Sequence, residues 1–341
     1  MPEQDARDVF DLTIIGSGPT GLFAAYYAGF RGLRTQIIDS MPELGGQITA
    51  LYPDKYIYDV AGFPKILGKE LVKNLVAQAM QYEPTICLNE QVLKLEHQED
   101  KTILLTTDKE TYLTRAVLIT VGIGVFTPRR FNDPAIEAYG GKGLHYFVKD
   151  VEAFRGKRLL IVGGGDSAVD WALNLERLAQ RITLIHRRDK FRAHEGSVQQ
   201  LMSSTVDAKL WYELKGILGD GKVEGAVIYQ NKTKEEEGLE LDAIIACLGF
   251  LSNLGPLKEW GLELENDAIV VNSRMETNLP GIYAAGDVAA YPGKVKLIAT
   301  GFGEAATAVN NAVAYIYPGA SVFPGHSSTI MEKKEKAEKK G

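Results

Sequence analysis

The 341-residue chain has only two cysteines, Cys87 and Cys247, far apart in sequence and with no Cys-x-x-Cys pair. A disulfide-stapled scaffold is therefore excluded. Each cysteine lies in an apolar context and reads as a buried thiol, which suits a reducing cytoplasm. No apolar run approaches the roughly 20 residues that a membrane helix needs, so no membrane association is expected. Residues 1–11 are acidic and lack the basic start and long apolar stretch of a secretion signal. Positive charge is also in deficit. Against 44 Asp and Glu stand 38 Lys and Arg, a net charge of −6, which argues against a nucleic-acid partner. No Ser/His/Asp nucleophile set, metal-ligand cluster or carboxylate pair stands out, so no protein-borne catalytic residue and no metal are expected.

Glycine is what the chain has in quantity: 35 residues, gathered at a few turns. The length fits about two domains, and two segments share one grammar. Residues 10–15 are an apolar run, followed by Gly16-Ser-Gly-Pro-Thr-Gly21, a helical stretch and a second apolar run at 35–38. Residues 159–162 lead likewise into Gly163-Gly-Gly-Asp-Ser-Ala168, a helical stretch and residues 182–185. Each is the strand–glycine turn–helix–strand opening of a doubly wound nucleotide-binding sheet. Gly16 and Asp39 are 23 residues apart, and so are Gly163 and His186.

A glycine turn alone is as often a plain tight bend as a binding site. Here the register adds a discriminating group to each turn. Gly16, Gly18 and Gly21 take the three glycine places with Thr20 between them, and Asp39 ends the next strand, where an acid accepts a ribose diol. In the second turn Gly163, Gly165 and Ala168 take those places, with Asp166 and Ser167 opening the helix. The acid is replaced by His186, followed by Arg187, Arg188 and Arg192, which are forked donors for a 2′-phosphate. That pattern selects NADPH over NADH.

Two dinucleotide sites in one chain of this length suggest a flavin, as FAD, and its nicotinamide reductant. The expected fold is α/β: two Rossmann-like, three-layer ββα nucleotide-binding domains, the NADPH domain inserted in the FAD domain. The expected boundaries are 1–122 for the first part of the FAD domain, 123–249 for the NADPH domain, 250–330 for the return with a flavin-covering end, and 331–341 for a flexible tail. Linkers near Gly122 and Gly249 are the expected swivel points.

Three further stretches carry a resemblance. Glu43-Leu-Gly-Gly-Gln47, Thr277-Asn-Leu-Pro-Gly-Ile-Tyr-Ala-Ala-Gly-Asp287 and His186-Arg-Arg-Asp-Lys-Phe-Arg192 are similar to segments of low-molecular-weight thioredoxin reductases. Those enzymes carry Cys-x-x-Cys just before the second turn. This chain has Tyr146-Phe-Val-Lys-Asp150 there, so thiol–disulfide relay by that route is excluded. The stretch from Gln47 to Pro64 and the tail Pro324-Gly-His-Ser-Ser-Thr329 resemble the thioredoxin-reductase-like ferredoxin–NADP⁺ reductases of bacteria.

The resemblance implies homodimers with non-covalent FAD, and electron exchange between NADPH and ferredoxin or flavodoxin. Asp39, Gln47, Tyr52, Val92, Phe126, Asp287 and Ser328 match its FAD-contacting positions. Tyr52 and His326 match the groups that stack on the flavin, His326 reaching over from the partner subunit. Hydride passes from NADPH to the flavin and electrons leave singly. The other readings are an NAD(P)H oxidase or diaphorase, a non-catalytic flavin-binding redox sensor, and a reductase using an external thiol carrier. Arg129, Arg130, Lys294 and Lys296 are candidate docking cations for an acidic protein partner.

Overall fold

The computed structural model describes residues 9–148, 150–326, 328–329 and 332. The acidic start before residue 9, Lys149, and the Lys/Glu tail beyond Glu332 lie outside the described residues. The chain divides into two compact units. The first comprises Met1–Thr49, Tyr56–Val125 and Asn253–Gly341, and the second comprises Ala50–Lys55 and Phe126–Ser252.

The first unit opens with β1 (Val9–Ile15), α1 (Pro19–Phe30) and β2 (Thr35–Ile38). The last four residues of β1 and all of β2 are buried, as befits parallel strands covered on both faces. There follow α2 (Gly68–Ala79), β3 (Thr85–Cys87), β4 (Val92–His97), β5 (Ile103–Thr107) and β6 (Thr111–Ile119). The strands lie in the order β3-β2-β1-β6-β5-β4, the first four parallel and the last two returning antiparallel.

The second unit has a five-stranded parallel sheet. In chain order, β7 (Val125–Pro128) leads in, and β8 (Leu144–His145), β9 (Arg158–Gly163), α3 (Asp166–Leu175), β10 (Arg181–His186), α4 (Glu195–Met202) and β11 (Asp207–Leu210) follow. Then come β12 (Tyr212–Leu218), β13 (Gly225–Gln230) and β14 (Glu236–Glu240), β15 (Ala243–Cys247) and β16 (Phe250–Asn253). The parallel order is β8-β15-β9-β10-β11, and β12-β13-β14 form a separate antiparallel sheet. Alternation along β9 decides the layering, because successive side chains of a strand face opposite ways. Leu159 and Ile161 join the cluster that contains Val169, Trp171 and Leu175 of α3. Leu160 and Val162 join the cluster that contains Ala226 and Ile228 of β13. The parallel sheet is thus sandwiched between helices and an antiparallel sheet, the expected three-layer ββα arrangement.

After β16 the chain returns to the first unit, where β17 (Ile282–Ala284) pairs in parallel with β6 and α5 (Ile298–Ile316) packs against α1. Register brings the ends of four strands level. Ile15 is paired with Ile38 and Ile119, and Ile119 with Ala284. The residues that follow this row are Gly16, Asp39, Thr120 and the Ala285–Asp287 turn. They gather at the carboxyl edge of the sheet, where open α/β sheets hold ligands.

Candidate cofactor-binding sites

Each glycine of the first turn has a distinct steric reason. Gly16 sits at φ +104°, and a Cβ there would meet Thr120 O at 2.7 Å. A Cβ on Gly21 would collide with the Gly16 carbonyl, so only glycine lets α1 approach β1 this closely. Gly18 faces open space and caps α1 with no side-chain hydrogen bond. The first N–H groups of a helix have no partner within the helix. An open, uncapped N-terminus at a strand edge therefore fits the diphosphate of a dinucleotide. The Glu43–Gln47 loop crosses here as well. Gly45 N–H donates to Ser17 O at 2.9 Å, and Gly46 lies so close to Gly18 that a Cβ would come within 2.9 Å of its Cα.

Asp39 is 8% exposed and already holds three donors. The Ser17 N–H and hydroxyl both reach Oδ2 at 2.6 Å, and the Met41 N–H reaches Oδ1 at 2.8 Å. A carboxylate has about four acceptor sites, so capacity remains for a ribose hydroxyl. The same acid also ties the glycine turn to β2. Gln47 lies against Gly122, where a Cβ would approach its Nε2 to 2.8 Å.

Thr20 joins the first turn to the carboxyl-terminal motif. Its side chain fills the space beside both Gly286 and Gly301, where any Cβ would strike it. Gly301 lies in the first turn of α5, whose cap Leu297 offers no side-chain hydrogen bond. That N-terminus is thus a further set of free donors next to Asp287. Burial pushes the Asp287 carboxyl up. Lys296 and Lys294 work against the shift, and Glu304 adds to it.

Glu304 carries no mark in the sequence, yet it is the hub of this corner. It is 5% exposed and accepts the Gly286 N–H at 2.7 Å, the Tyr291 hydroxyl at 2.5 Å and the Lys294 ammonium. Burial, followed by the Glu304 carboxylate, pushes the Tyr291 phenol up to about 12, so it remains a donor. Lys294 is not the surface docking cation expected from sequence, because its side chain is only 8% exposed and is paired with Glu304. Arg130 stays exposed, with its side chain 62% accessible, while it pairs with Glu137 at 2.9 Å and lies over the Tyr146 ring. Arg129 and Lys296 are exposed.

The second turn repeats the first with different chemistry. A Cβ on Gly163 would collide with Cys247 O, while Gly165 faces open space and caps α3 without a side-chain bond. Ala168 is wholly buried beneath Gly163, and Asp166 Oδ1 accepts the His194 N–H at 2.8 Å. Ser167 is exposed on the first turn of α3. Arg187 and Arg192 are exposed and Arg188 is half-buried. Among the described residues the ion pairs of this unit leave all three without a carboxylate. The Arg192 N–H reaches Gly164 O at 2.6 Å, which brings this arginine to the turn itself.

His186 behaves differently from its neighbours. It is 8% exposed, its ring lies against Gly164, and it stacks on Phe191 at 5.6 Å. Burial, with Arg187 beside it, lowers its pKa, so the ring is neutral near pH 7 and supplies no cation. Its Nε2 is a buried polar atom without a protein partner among the described residues.

Val92 opens β4 and is 3% exposed, a core residue of the first unit. Phe126 lies in β7, and its side chain is outside the described residues. Tyr52 packs against the helix-side core of the second unit, in the short segment that the Lys55–Asp170 ion pair also holds there. His326 and Ser328 are exposed, and His326 meets Phe323 edge-on at 5.8 Å. Both cysteines are free thiols, and burial pushes Cys247 up to about 12, leaving it no thiolate at neutral pH. No helix among the described residues is long and apolar enough to cross a membrane.

Two unobstructed dinucleotide turns, one followed by an acid and the other by arginines, define a protein built to hold two different nucleotides. The sequence pattern described as pyridine nucleotide-disulphide oxidoreductase matches residues 10–312, and the chain belongs to that family. Ferredoxin–NADP reductase 2 of Shouchella clausii is 56% identical over 329 residues, covering 96% of this chain and 100% of that protein. Ferredoxin–NADP reductase of Halalkalibacterium halodurans is 56% identical over 326 residues, 95% of this chain and 99% of that one. Among solved structures, thioredoxin reductase of T. acidophilum superposes with a TM-score of 0.76 at 30% identity, over 90% of this chain and 97% of that one.

Proposed function

We infer that the chain is an FAD-dependent ferredoxin–NADP⁺ reductase. One observation carries the reading. A single chain holds two open glycine turns with opposite discriminating groups, and it is similar over nearly its whole length to proteins bearing that name. The thioredoxin reductase neighbour gives no thiol role to this chain, whose two cysteines form no Cys-x-x-Cys pair.

Gly16, Gly18, Thr20, Gly21 and Asp39, with Gln47, Asp287 and the N-terminus of α5, would hold FAD. Gly163, Gly165, Asp166, Ser167, Ala168, Arg187, Arg188 and Arg192 would hold NADPH. When bound, FAD supplies the redox chemistry, taking a hydride equivalent from NADPH and passing electrons singly to ferredoxin or flavodoxin. The protein's share is orientation and charge. Ser17 fixes the Asp39 carboxylate, and Thr20 sets the spacing between the two motifs. Glu304 fixes the Gly286–Asp287 turn, and the α5 N-terminus favours negative charge beside it. The arginines supply charge-assisted donors that only a 2′-phosphate uses.

The finer parts of the proposal are a homodimer, in which exposed His326 and Ser328 serve the partner's flavin site, and a cytoplasmic home for two free thiols. The test is spectroscopic. The purified protein is expected to be yellow and to release equimolar FAD on denaturation. A colourless protein that cannot be reconstituted with FAD contradicts the reading.

A further inference from the structure

Trp211 is the one bulky aromatic residue of the described chain with a left-handed backbone, at φ +68°. A large side chain in that region is strained and persists only where its surroundings hold it. Three contacts hold this one. Its N–H donates to Arg188 O at 3.2 Å, its carbonyl accepts the Asn231 N–H at 2.7 Å, and the Lys232 ammonium sits 3.5 Å from the indole centroid. Asn231 closes the loop. Its side-chain Nδ2 donates to Arg187 O at 2.8 Å and to Glu213 Oε1 at 3.1 Å.

The backbone carbonyls of Arg187 and Arg188 are therefore both held from a distant part of the chain. Beyond β10 the arginine segment belongs to no strand, since pairing with β11 ends at His186↔Leu210. What continues the support is the Trp211 turn between β11 and β12, and the Asn231 turn between β13 and β14. We propose that Trp211 and Asn231 form a clasp that positions Arg187 and Arg188 for the 2′-phosphate, making Asn231 a positioning residue for nicotinamide-nucleotide choice. The inference rests on the assignment of these arginines to the 2′-phosphate, as proposed above.

Holding a flexible arginine pair ready lowers the ordering cost that a 2′-phosphate must otherwise meet on binding. A nucleotide lacking that phosphate gains nothing from the clasp. The effect must then appear as a ratio between the two ligands. A residue that only supports the fold moves both together.

The experiment uses the FAD-loaded protein and calorimetric binding of adenosine 2′,5′-bisphosphate against 5′-AMP. Asn231→Ala is expected to weaken the bisphosphate about three- to tenfold, the worth of one net hydrogen bond, and to leave AMP within about twofold. Asn231→Asp, which keeps the shape but cannot donate to the Arg187 carbonyl, is expected to weaken the bisphosphate at least as much. The NADPH-to-NADH ratio of kcat/KM with ferricyanide should fall in parallel, through KM. Arg187→Ala/Arg188→Ala is the reference. If that variant lowers the ligand ratio and Asn231→Ala does not, the clasp is overturned while the phosphate assignment stands. Equal losses for both ligands in Asn231→Ala make the residue a fold support and overturn the proposal. A ratio unmoved by the double arginine variant overturns the assignment and the clasp together.

Discussion

The Lys294 ammonium is buried against the Glu304 carboxylate, 8% and 5% exposed, in the corner that also holds Gly286 and Asp287. Removing one member of a buried ion pair leaves the other charge uncompensated, at a cost of about 3–5 kcal/mol. Glu304→Gln keeps an acceptor for the Gly286 N–H but strands the Lys294 charge. It should lower the melting temperature sharply and loosen FAD, as read by flavin release on dilution. Adding Lys294→Met should recover much of the stability. A single variant as stable as the parent would show that the pair contributes nothing.

Burial of Lys294 moves the docking question to the exposed candidates. Lys296, Arg129 and Arg130 remain on the surface, Arg130 paired with Glu137. Surface charges mainly steer encounter, and their effect fades as salt rises. Charge reversal at Lys296 and Arg129 should slow ferredoxin reduction at low ionic strength. Ferricyanide reduction, which needs no protein docking, should be unchanged. Ferredoxin turnover that survives both reversals at low salt would place the partner elsewhere.

Asp287 gives a pH signature. Burial raises its carboxyl above the ordinary aspartate value, Lys296 and Lys294 offset part of the rise, and Glu304 adds to it. Between the ordinary and the raised value the native state keeps a proton that the unfolded chain has lost. Stability from this group is therefore present below the ordinary aspartate pKa and declines as pH rises through the folded value. In the FAD-free protein, Asp287→Asn should raise the melting temperature at pH 7, and the gain should shrink below about pH 4. The same change should weaken FAD. A gain that is flat across this range would mean that burial of the charge is not the cause.

The C-terminal segment is anchored just before its aromatic group. Arg31 donates to Ser321 O at 2.9 Å and to Val322 O at 3.2 Å. Truncation after Pro324 keeps that anchor and removes His326 and Ser328. FAD should stay bound, while flavin fluorescence and turnover change. An unchanged spectrum with unchanged kinetics would make His326 an ordinary solvated residue.

Glycine spacing carried much of this architecture, because Gly16, Gly21 and Gly163 answer local collisions that the strand–turn–helix grammar already implies. Residues 159–162 are apolar throughout, so which of them face the helices and which the antiparallel sheet was visible only in the structure. Glu304 was not legible. Its partners Gly286, Tyr291 and Lys294 come together only when the turn after β17 folds back on α5, and a lysine after a glycine turn reads as solvated. His186 misled in the opposite direction. Beside two arginines it reads as a cation, but its strand register buries the ring over Gly164. Asn231 left no local signal, since its role lies 44 residues away from the carbonyl it holds.

The central claim is that NADPH reduces a small redox protein through this chain. The most direct measurement is NADPH-driven cytochrome c reduction with and without added ferredoxin, with oxygen uptake followed in parallel. The account predicts a large, saturable stimulation by ferredoxin, far slower turnover with NADH, and little oxygen uptake in its absence. Rapid NADPH oxidation matched by oxygen uptake and indifferent to both ferredoxin and flavodoxin would contradict it and make the chain an oxidase. Tight FAD binding with negligible NADPH oxidation would contradict it as well.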